Sequence, residues 1–368
     1  LLRARMAHSA VMEGDLDTAA AVLDGLEPNG GPADVPILLA QGSLAYFTGD
    51  VDAAWKASDQ VCGLVRPDEN SWQRLDLLTL QALIAHHRGE LFSRLRLELR
   101  RAQDAPALAS SVFDPYICVA EYLLYGTTPY SEVKALAQSL RETARRSGVL
   151  RAEAFATALL GEAALLAGDI AEAERELQDA IDLHREFGAP AGEAASLQRL
   201  AEVRLLQGDR READRLLRQA LPRARWCLMA LHLVQRIFGT MILAAPDPQA
   251  ARAVVDQAQD TMGTEDECSF CVIMFAVPAV IACADVGDID EAHRYLAIAE
   301  RSSELWEGTA WQAAILEARA HLARAEQEPD REAILLDRAA VLFEQAGQPL
   351  DAARCRPQAR AQVSLRGA

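Results

Sequence analysis

The sequence predicts an all-α fold, a right-handed α-solenoid of about nine helix hairpins with a period of about 40 residues. Three observations predict it. A Gly-acid turn recurs at Gly14-Asp15, Gly49-Asp50, Gly89-Glu90, Gly168-Asp169, Gly208-Asp209 and Gly287-Asp288, at spacings of 35, 40, 79, 40 and 79. The stretch after the turn carries apolar residues three and four apart, the spacing of one helix face. An alanine stands five residues past five of the turns, at Ala19, Ala54, Ala173, Ala213 and Ala292, where a small side chain lets two helices approach closely.

Taken in order, the first unit turns at Gly14 and the second at Gly49. Gly ends the first helix of a hairpin, where a left-handed residue is needed, and Asp caps the second by accepting from its free N–H groups. The third unit turns at Gly89, after a helix that His86 and His87 end. The gap from there to Gly168 is close to two periods and holds a weaker fourth turn, Gly126-Thr-Thr-Pro129. The fifth unit is the clearest: Ile170, Ala173, Leu177, Ala180 and Ile181 share one face. The sixth turns at Gly208, the seventh at the weaker Ala245-Pro-Asp-Pro248, the eighth at Gly287 and the ninth at Gln327-Glu-Pro329-Asp330. Pro190, Pro222 and Pro329 are expected at helix starts, which tolerate a missing N–H. Gly161 and Gly42, each seven residues before a turn glycine, are expected to give the close helix–helix approach on the first-helix side.

Composition sets limits on function. The chain has 368 residues, 51% of them hydrophobic, and a net charge of −17. That is enough apolar surface to order the chain. The acidic balance argues against nucleic acid as a partner, since phosphate binding needs clustered Lys and Arg, and Lys56 and Lys134 are the only lysines. The longest apolar run, Phe270 to Ala284, spans 15 residues and contains Pro278, so a buried helix is expected rather than a bilayer span. The N-terminus lacks the charged-then-apolar pattern of a signal peptide. Seven scattered cysteines fit a reduced, cytoplasmic chain. Because Leu1 already opens a helical pattern, the chain is expected to be a fragment of a larger protein.

The motifs that carry chemistry are missing. A phosphate-binding loop needs Gly-x4-Gly-Lys-Ser/Thr, and neither lysine follows a glycine. No Gly-x-Ser-x-Gly elbow occurs. Cys268-Ser-Phe-Cys271 is a metal-like pair, but a zinc site needs two more ligands, and although His293 is available there is no second CxxC, so two buried thiols in the first turn of a helix are expected instead. Adjacent His86 and His87 point in different directions on a helix and suit its C-terminus as cations. Carboxylates fall beside Arg on exposed faces, as in Glu172–Arg175 and Glu212–Arg215. No catalytic residue, no metal and no cofactor is expected, and the chain is not read as an enzyme.

The order small residue, turn Gly, Ala, Leu, Ala, seen as Gly161, Gly168, Ala173, Leu177 and Ala180, resembles the tetratricopeptide repeat (TPR). Leu200, Gly208, Ala213, Leu217 and Ala220 repeat it, as do Gly287, Ala292, Leu296 and Ala299. The 40-residue variety, and the closing stretch from Ala340 to Arg354, are similar to the helical array of LuxR-related, ATP-dependent bacterial transcriptional regulators. The resemblance implies one TPR-like superhelical domain over 1–368, with N-terminal repeats in 1–148, the best-matching repeats in 149–221, C-terminal repeats in 222–348 and a terminal helix or tail in 349–368. It implies a concave groove lined by first helices, holding Tyr46, Asp76, Thr79, His86, Glu162, Gln198 and Glu202, with Tyr116 and His232 added from units of weaker register. This polar, mildly acidic set would suit a basic partner segment. Trp72, Trp226, Trp306 and Trp311 are expected to seal the joins between units, and Trp55, on the second helix of the second unit, to serve in packing.

The function implied is a non-catalytic protein-interaction or sensor scaffold in a multidomain cytoplasmic signalling or transcriptional regulator. Its partner would be a protein or peptide segment, or a small-molecule effector, and neither nucleic acid nor membrane. ATPase and DNA-binding modules would flank it in the full-length chain. The alternatives are a sugar- or metabolite-binding inducer domain, marked by a closed pocket with convergent polar groups, or a peptide-pheromone receptor. The second is disfavoured by the scarcity of Asn, which occurs only at Asn29 and Asn70.

Overall fold

The computed structural model describes residues 1–12, 14–65, 72–88, 117–225, 230–262 and 268–356. Every regular element among them is an α-helix, eighteen in all. The chain divides into two compact units, Leu1–Pro115 and Tyr116–Ala368, each a run of antiparallel hairpins. The first holds α1 (Leu2–Met12), α2 (Leu16–Leu23), α3 (Asp34–Phe47), α4 (Val51–Leu64) and α5 (Trp72–His87). The second opens with α6 (Ile117–Tyr125), α7 (Tyr130–Ser147), α8 (Leu150–Leu166), α9 (Ile170–Glu186), α10 (Pro190–Leu206) and α11 (Arg210–Arg225). It continues with α12 (Ala230–Ala244), α13 (Pro248–Met262), α14 (Ile273–Asp285), α15 (Ile289–Ser303), α16 (Ala310–Ala325), α17 (Pro329–Gln345) and α18 (Pro349–Cys355).

The turn chemistry follows the sequence closely. Gly14, Gly49, Gly168, Gly208 and Gly287 all take left-handed φ, between 79° and 90°, a region that costs any residue with a Cβ. Asp15, Asp50, Asp169 and Asp209 each accept from the backbone N–H three residues on. Asp247, in the weaker seventh turn, caps α13 in the same way. Asp288 makes no side-chain cap bond, because its carboxylate is taken by Arg252 at 3.1 Å. Gly89 lies outside the described residues.

Two expectations are corrected, for Pro222 and for Glu172. Pro222 lies inside α11 instead of at a helix start. Ala220 and Ala224, both fully buried on one face, carry the helix through it. Pro190 and Pro329 do start their helices. The turn at Gln327 has no glycine, and Gln327 itself takes the left-handed conformation, φ 65°. Glu172 pairs with Lys134 of the preceding hairpin instead of Arg175, whereas Glu212 and Arg215 pair as expected.

Packing explains the small residues. Ala19, Ala54, Ala173, Ala213 and Ala292 are completely buried. A Cβ on Gly161 would stand 2.7 Å from Leu177 Cγ, and one on Gly42 would stand 2.7 Å from Leu80 Cδ2. Second helices such as α9 and α11 bury one stripe and keep a charged face outside. First helices such as α10 and α14 are buried almost all round. Each is packed by its own hairpin partner, by the second helix before it and by neighbouring first helices. Most of the Phe270–Ala284 run is this kind of element, the buried helix α14 from Ile273 with Pro278 inside it, while Phe270, Cys271 and Val272 form the turn that leads in. Among the described residues no helix is long and apolar enough to cross a membrane.

The second unit closes on itself. The last repeat reaches back to the first: Gln348 Nε2 donates to Tyr130 Oη at 2.7 Å, across 218 residues. A Cβ on Gly308 would stand 2.0 Å from the Tyr125 carbonyl oxygen, so only glycine admits the approach. Tyr125 stacks on Trp311 with ring centroids 4.6 Å apart, and Trp306 meets both rings and Phe270 edge-on or tilted. Trp306 and Trp311 are buried and seal a join, as expected, but the join is this long-range closure. Trp55 packs under Arg88, 4.5 Å from its ring centroid. Trp226, and the side chain of Trp72, lie outside the described residues.

Candidate functional site

The closure of the second unit turns its concave face into a pocket of about 450 Å³. First helices wall it. Leu165 and Leu166 come from α8, Leu205 and Leu206 from α10, Leu243 from α12, Met274, Val277, Pro278 and Ile281 from α14, and Trp311 and Ala314 from α16. Phe343 and Leu350, from the two closing helices, complete the apolar part. Polar groups line it in two sets: Gln198, Arg199, Glu202, Arg236 and Thr240 from α10 and α12, and Glu317, His321, Asp351 and Arg354 from α16 and α18.

Beneath the first polar group lies a buried charge network. The Arg199 guanidinium donates to Glu162 at 2.8 Å, to both oxygens of Glu121 at 3.1 Å, to Glu202 at 2.9 Å and to Tyr125 Oη at 3.2 Å. Arg236 stands 2.7 Å from Glu121 and donates to Glu162 at 3.3 Å and Gln198 at 3.2 Å. Gln198 in turn donates to Glu202 and Thr240, and Thr240 to Glu202. Arg199 is 4% exposed, Arg236 2% and Glu121 0%, so these charges are sustained only by one another. Burial pushes the Glu121 carboxyl above its usual range, against the pull of Arg236 and Arg199. Burial would depress the Arg199 guanidinium, but the Tyr125 hydroxyl and the three glutamates outweigh it and hold the group cationic.

Across the pocket, Arg354 grips Glu317 with two parallel bonds of 2.7 Å. His321 Nδ1 lies 2.8 Å from Asp285. Glu202 is the network member most open to solvent, its side chain 24% exposed. It presents an acceptor edge to whatever enters, held in place by Gln198, whose amide donates to Glu202 and Thr240. The arrangement offers an apolar chamber with fixed polar anchors, and no nucleophile–base pair is among the anchors.

Glu162, Gln198 and Glu202, expected along the groove, are brought together, Gln198 and Glu202 at the pocket wall and Glu162 beneath it. The mildly acidic character expected of them is offset, because Arg199 and Arg236 neutralise these acids from within the chain. Sequence reasoning missed both arginines. Glu162, Arg199 and Arg236 stand 37 residues apart, three short of the period, so each sits about one turn earlier on its first helix than the one before it, a step that counting back from the turns passes over. In the first unit Tyr46 packs against the Ala54, Leu80 and Ile84 core, and Asp76 faces His8 at 3.7 Å. Burial raises the Asp76 carboxyl, with His8 and Arg5 pulling it down. Thr79 and His86 lie on α5, with side chains outside the described residues, and Tyr116 lies outside them altogether. His232 stands apart from the network, one turn before Arg236, with its Nδ1 3.4 Å from Cys271 Sγ.

A tetratricopeptide-repeat family profile matches residues 153–225, the α8–α11 stretch beside this network. No curated protein matches the chain. Among solved structures the chain is similar to that of a Rap protein complexed with competence and sporulation factor, at a TM-score of 0.61 and 11% identity, covering 95% of this chain and 98% of that one. It is also similar to NprR in complex with its cognate peptide NprX, at a TM-score of 0.54 and 14% identity, covering 91% and 97%. At such identity the likeness is one of fold. Repeat match and fold together define a TPR-like helical repeat array.

Proposed function

We propose that the chain is a non-catalytic binding scaffold whose second unit holds a short peptide or peptide segment in its enclosed concave pocket. The observation that carries this reading is the pocket itself. Apolar walls from five successive first helices meet a polar anchor, Glu202, that is held rigid by Gln198 and Arg199 of the buried network. Alternating apolar side chains and backbone amides of a peptide match walls and anchors of this kind. The likeness in fold to two structures solved with a signalling factor or peptide bound supports it.

The wider reading is a cytoplasmic multidomain regulator, of the LuxR-related ATP-dependent type, in which occupancy of the pocket favours one arrangement of the array and shifts attached modules between off and on. A second reading is a small-molecule effector domain. It is favoured by the closure of the pocket and by its volume, which is in the range of drug-sized ligand sites.

Calorimetric titration against a library of short apolar-rich peptides, with a metabolite panel in parallel, separates the two. A saturable peptide response, lost in Val277→Arg and weakened in Glu202→Gln, is expected. Binding of metabolites alone overturns the peptide reading in favour of the second. Peptide binding that survives Val277→Arg overturns the assignment to this pocket.

A further inference from the structure

We propose a metal site, suited to Zn²⁺, formed by His232, Cys268 and Cys271. The two cysteines lie in the turn that leads into α14. This turn precedes the helix proper, which begins at Ile273. The backbone N–H of Val272 donates to the Cys268 carbonyl at 2.9 Å, closing one helical turn, so the two cysteines three residues apart share a side. His232 comes from the first turn of α12, the neighbouring first helix, and its Nδ1 lies 3.4 Å from Cys271 Sγ. One ligand atom from each residue, two sulfurs and a ring nitrogen, lies within 4.8 Å of the others. Zinc–sulfur bonds of about 2.3 Å and zinc–nitrogen bonds of about 2.0–2.1 Å place tetrahedral donors roughly 3.4–3.8 Å apart. The His232–Cys271 pair already has that separation, and the Cys268 sulfur needs only a small closure.

The chemistry of the surroundings favours a cation. Both thiols are buried, Cys268 at 7% exposure and Cys271 at 1%, and no disulfide joins them. Burial keeps such thiols protonated unless a cation compensates the charge, so a bound metal is what would make this pair thiolate. The backbone N–H of Cys271 donates to Cys268 Sγ at 3.4 Å, a bond that a thiolate accepts better than a thiol. Two sulfurs and an imidazole select Zn²⁺ over Mg²⁺ or Ca²⁺, which want oxygen. Three protein ligands leave one position for water or an added donor. The site stands independently of the peptide reading.

The test uses the full chain, reduced and stripped with a chelator, then titrated with Co²⁺ and Zn²⁺. One equivalent of Co²⁺ is expected to give a thiolate-to-metal charge-transfer band with the strong visible absorption of tetrahedral cobalt, both abolished by one equivalent of Zn²⁺. Cys268→Ser/Cys271→Ser removes the charge-transfer band, and His232→Ala weakens Zn²⁺ at least tenfold in competition with a chromophoric chelator. Circular dichroism of the metal-free variants checks that they are folded. An absent charge-transfer band in the wild type, an unchanged spectrum in the double variant, or unchanged affinity in His232→Ala each overturns the site.

Discussion

Replacing Arg199 with Met keeps most of the side-chain volume and removes the cation at the centre of the buried network. The wild-type guanidinium makes five hydrogen bonds, to Glu162, twice to Glu121, to Glu202 and to Tyr125. Without it three glutamates face Arg236 alone. Removing one partner of a buried ion pair costs about 3–5 kcal/mol, because the charges left behind have neither water nor a counter-ion. We therefore expect a loss of that size at pH 8.

The loss should depend on pH in a definite direction. Glu121 is already raised by burial, and Arg199 is one of the two groups holding it down. In Arg199→Met its folded pKa rises further above the unfolded value, so the native state binds more protons than the unfolded chain across that interval. Stability then falls as pH rises through the folded pKa and returns as pH falls toward the unfolded one. Urea unfolding at pH 5.5 and pH 8, followed by fluorescence and circular dichroism, reads the difference. Arg218→Met, which breaks the exposed pair to Asp214, serves as control and should change stability by no more than about 0.5 kcal/mol. A loss in Arg199→Met below about 1 kcal/mol at pH 8, or one identical at both pH values, would refute the charge-network argument.

Two further outcomes are expected. Gln327→Gly relieves a left-handed residue that bears a Cβ, φ 65°, and should stabilise by about 0.5–1 kcal/mol after glycine's own entropy cost; a lower melting temperature would count against it. His184 is buried against Gly192, where a Cβ would stand 2.2 Å from the ring, and burial depresses its pKa to about 4 despite the opposing pull of Glu193. The unfolded chain therefore takes up a proton that the native state refuses. This contribution is complete above about pH 6.5 and is lost as pH falls toward 4, amounting to about 3 kcal/mol at most. His184→Phe, which keeps a ring and cannot titrate, should flatten the wild-type slope in that window, and an unchanged slope in denaturant melts would assign the acid sensitivity elsewhere.

Much of the local architecture was legible in the residues. The turn glycines needed a left-handed φ that other residues resist, so their recurrence alone marks the hairpins. The capping aspartates and the alanines five residues on did the same, since each answers a requirement within one hairpin. Pro222 shows the limit: its sequence position resembled a helix start, yet two buried alanines across the proline extended α11 past it. The candidate site was partly legible. Counting back from the turns reached Glu162, Gln198 and Glu202, because repeats place equivalent residues on one face. The same counting set His232 beside them, whereas the fold turns it toward Cys271.

The sequence by itself determined the helices, their pairing into hairpins and the face each second helix buries, because these depend on interactions a few residues apart. Tertiary structure alone decided that the second unit curls until Gln348 meets Tyr130 and Gly308 meets Tyr125, enclosing a pocket where an open groove was expected. It alone decided which cation neutralises which acid. Closure accumulates from small rotations at every joint between repeats, and an ion pair across 78 residues is fixed by that accumulated geometry and by no local pattern.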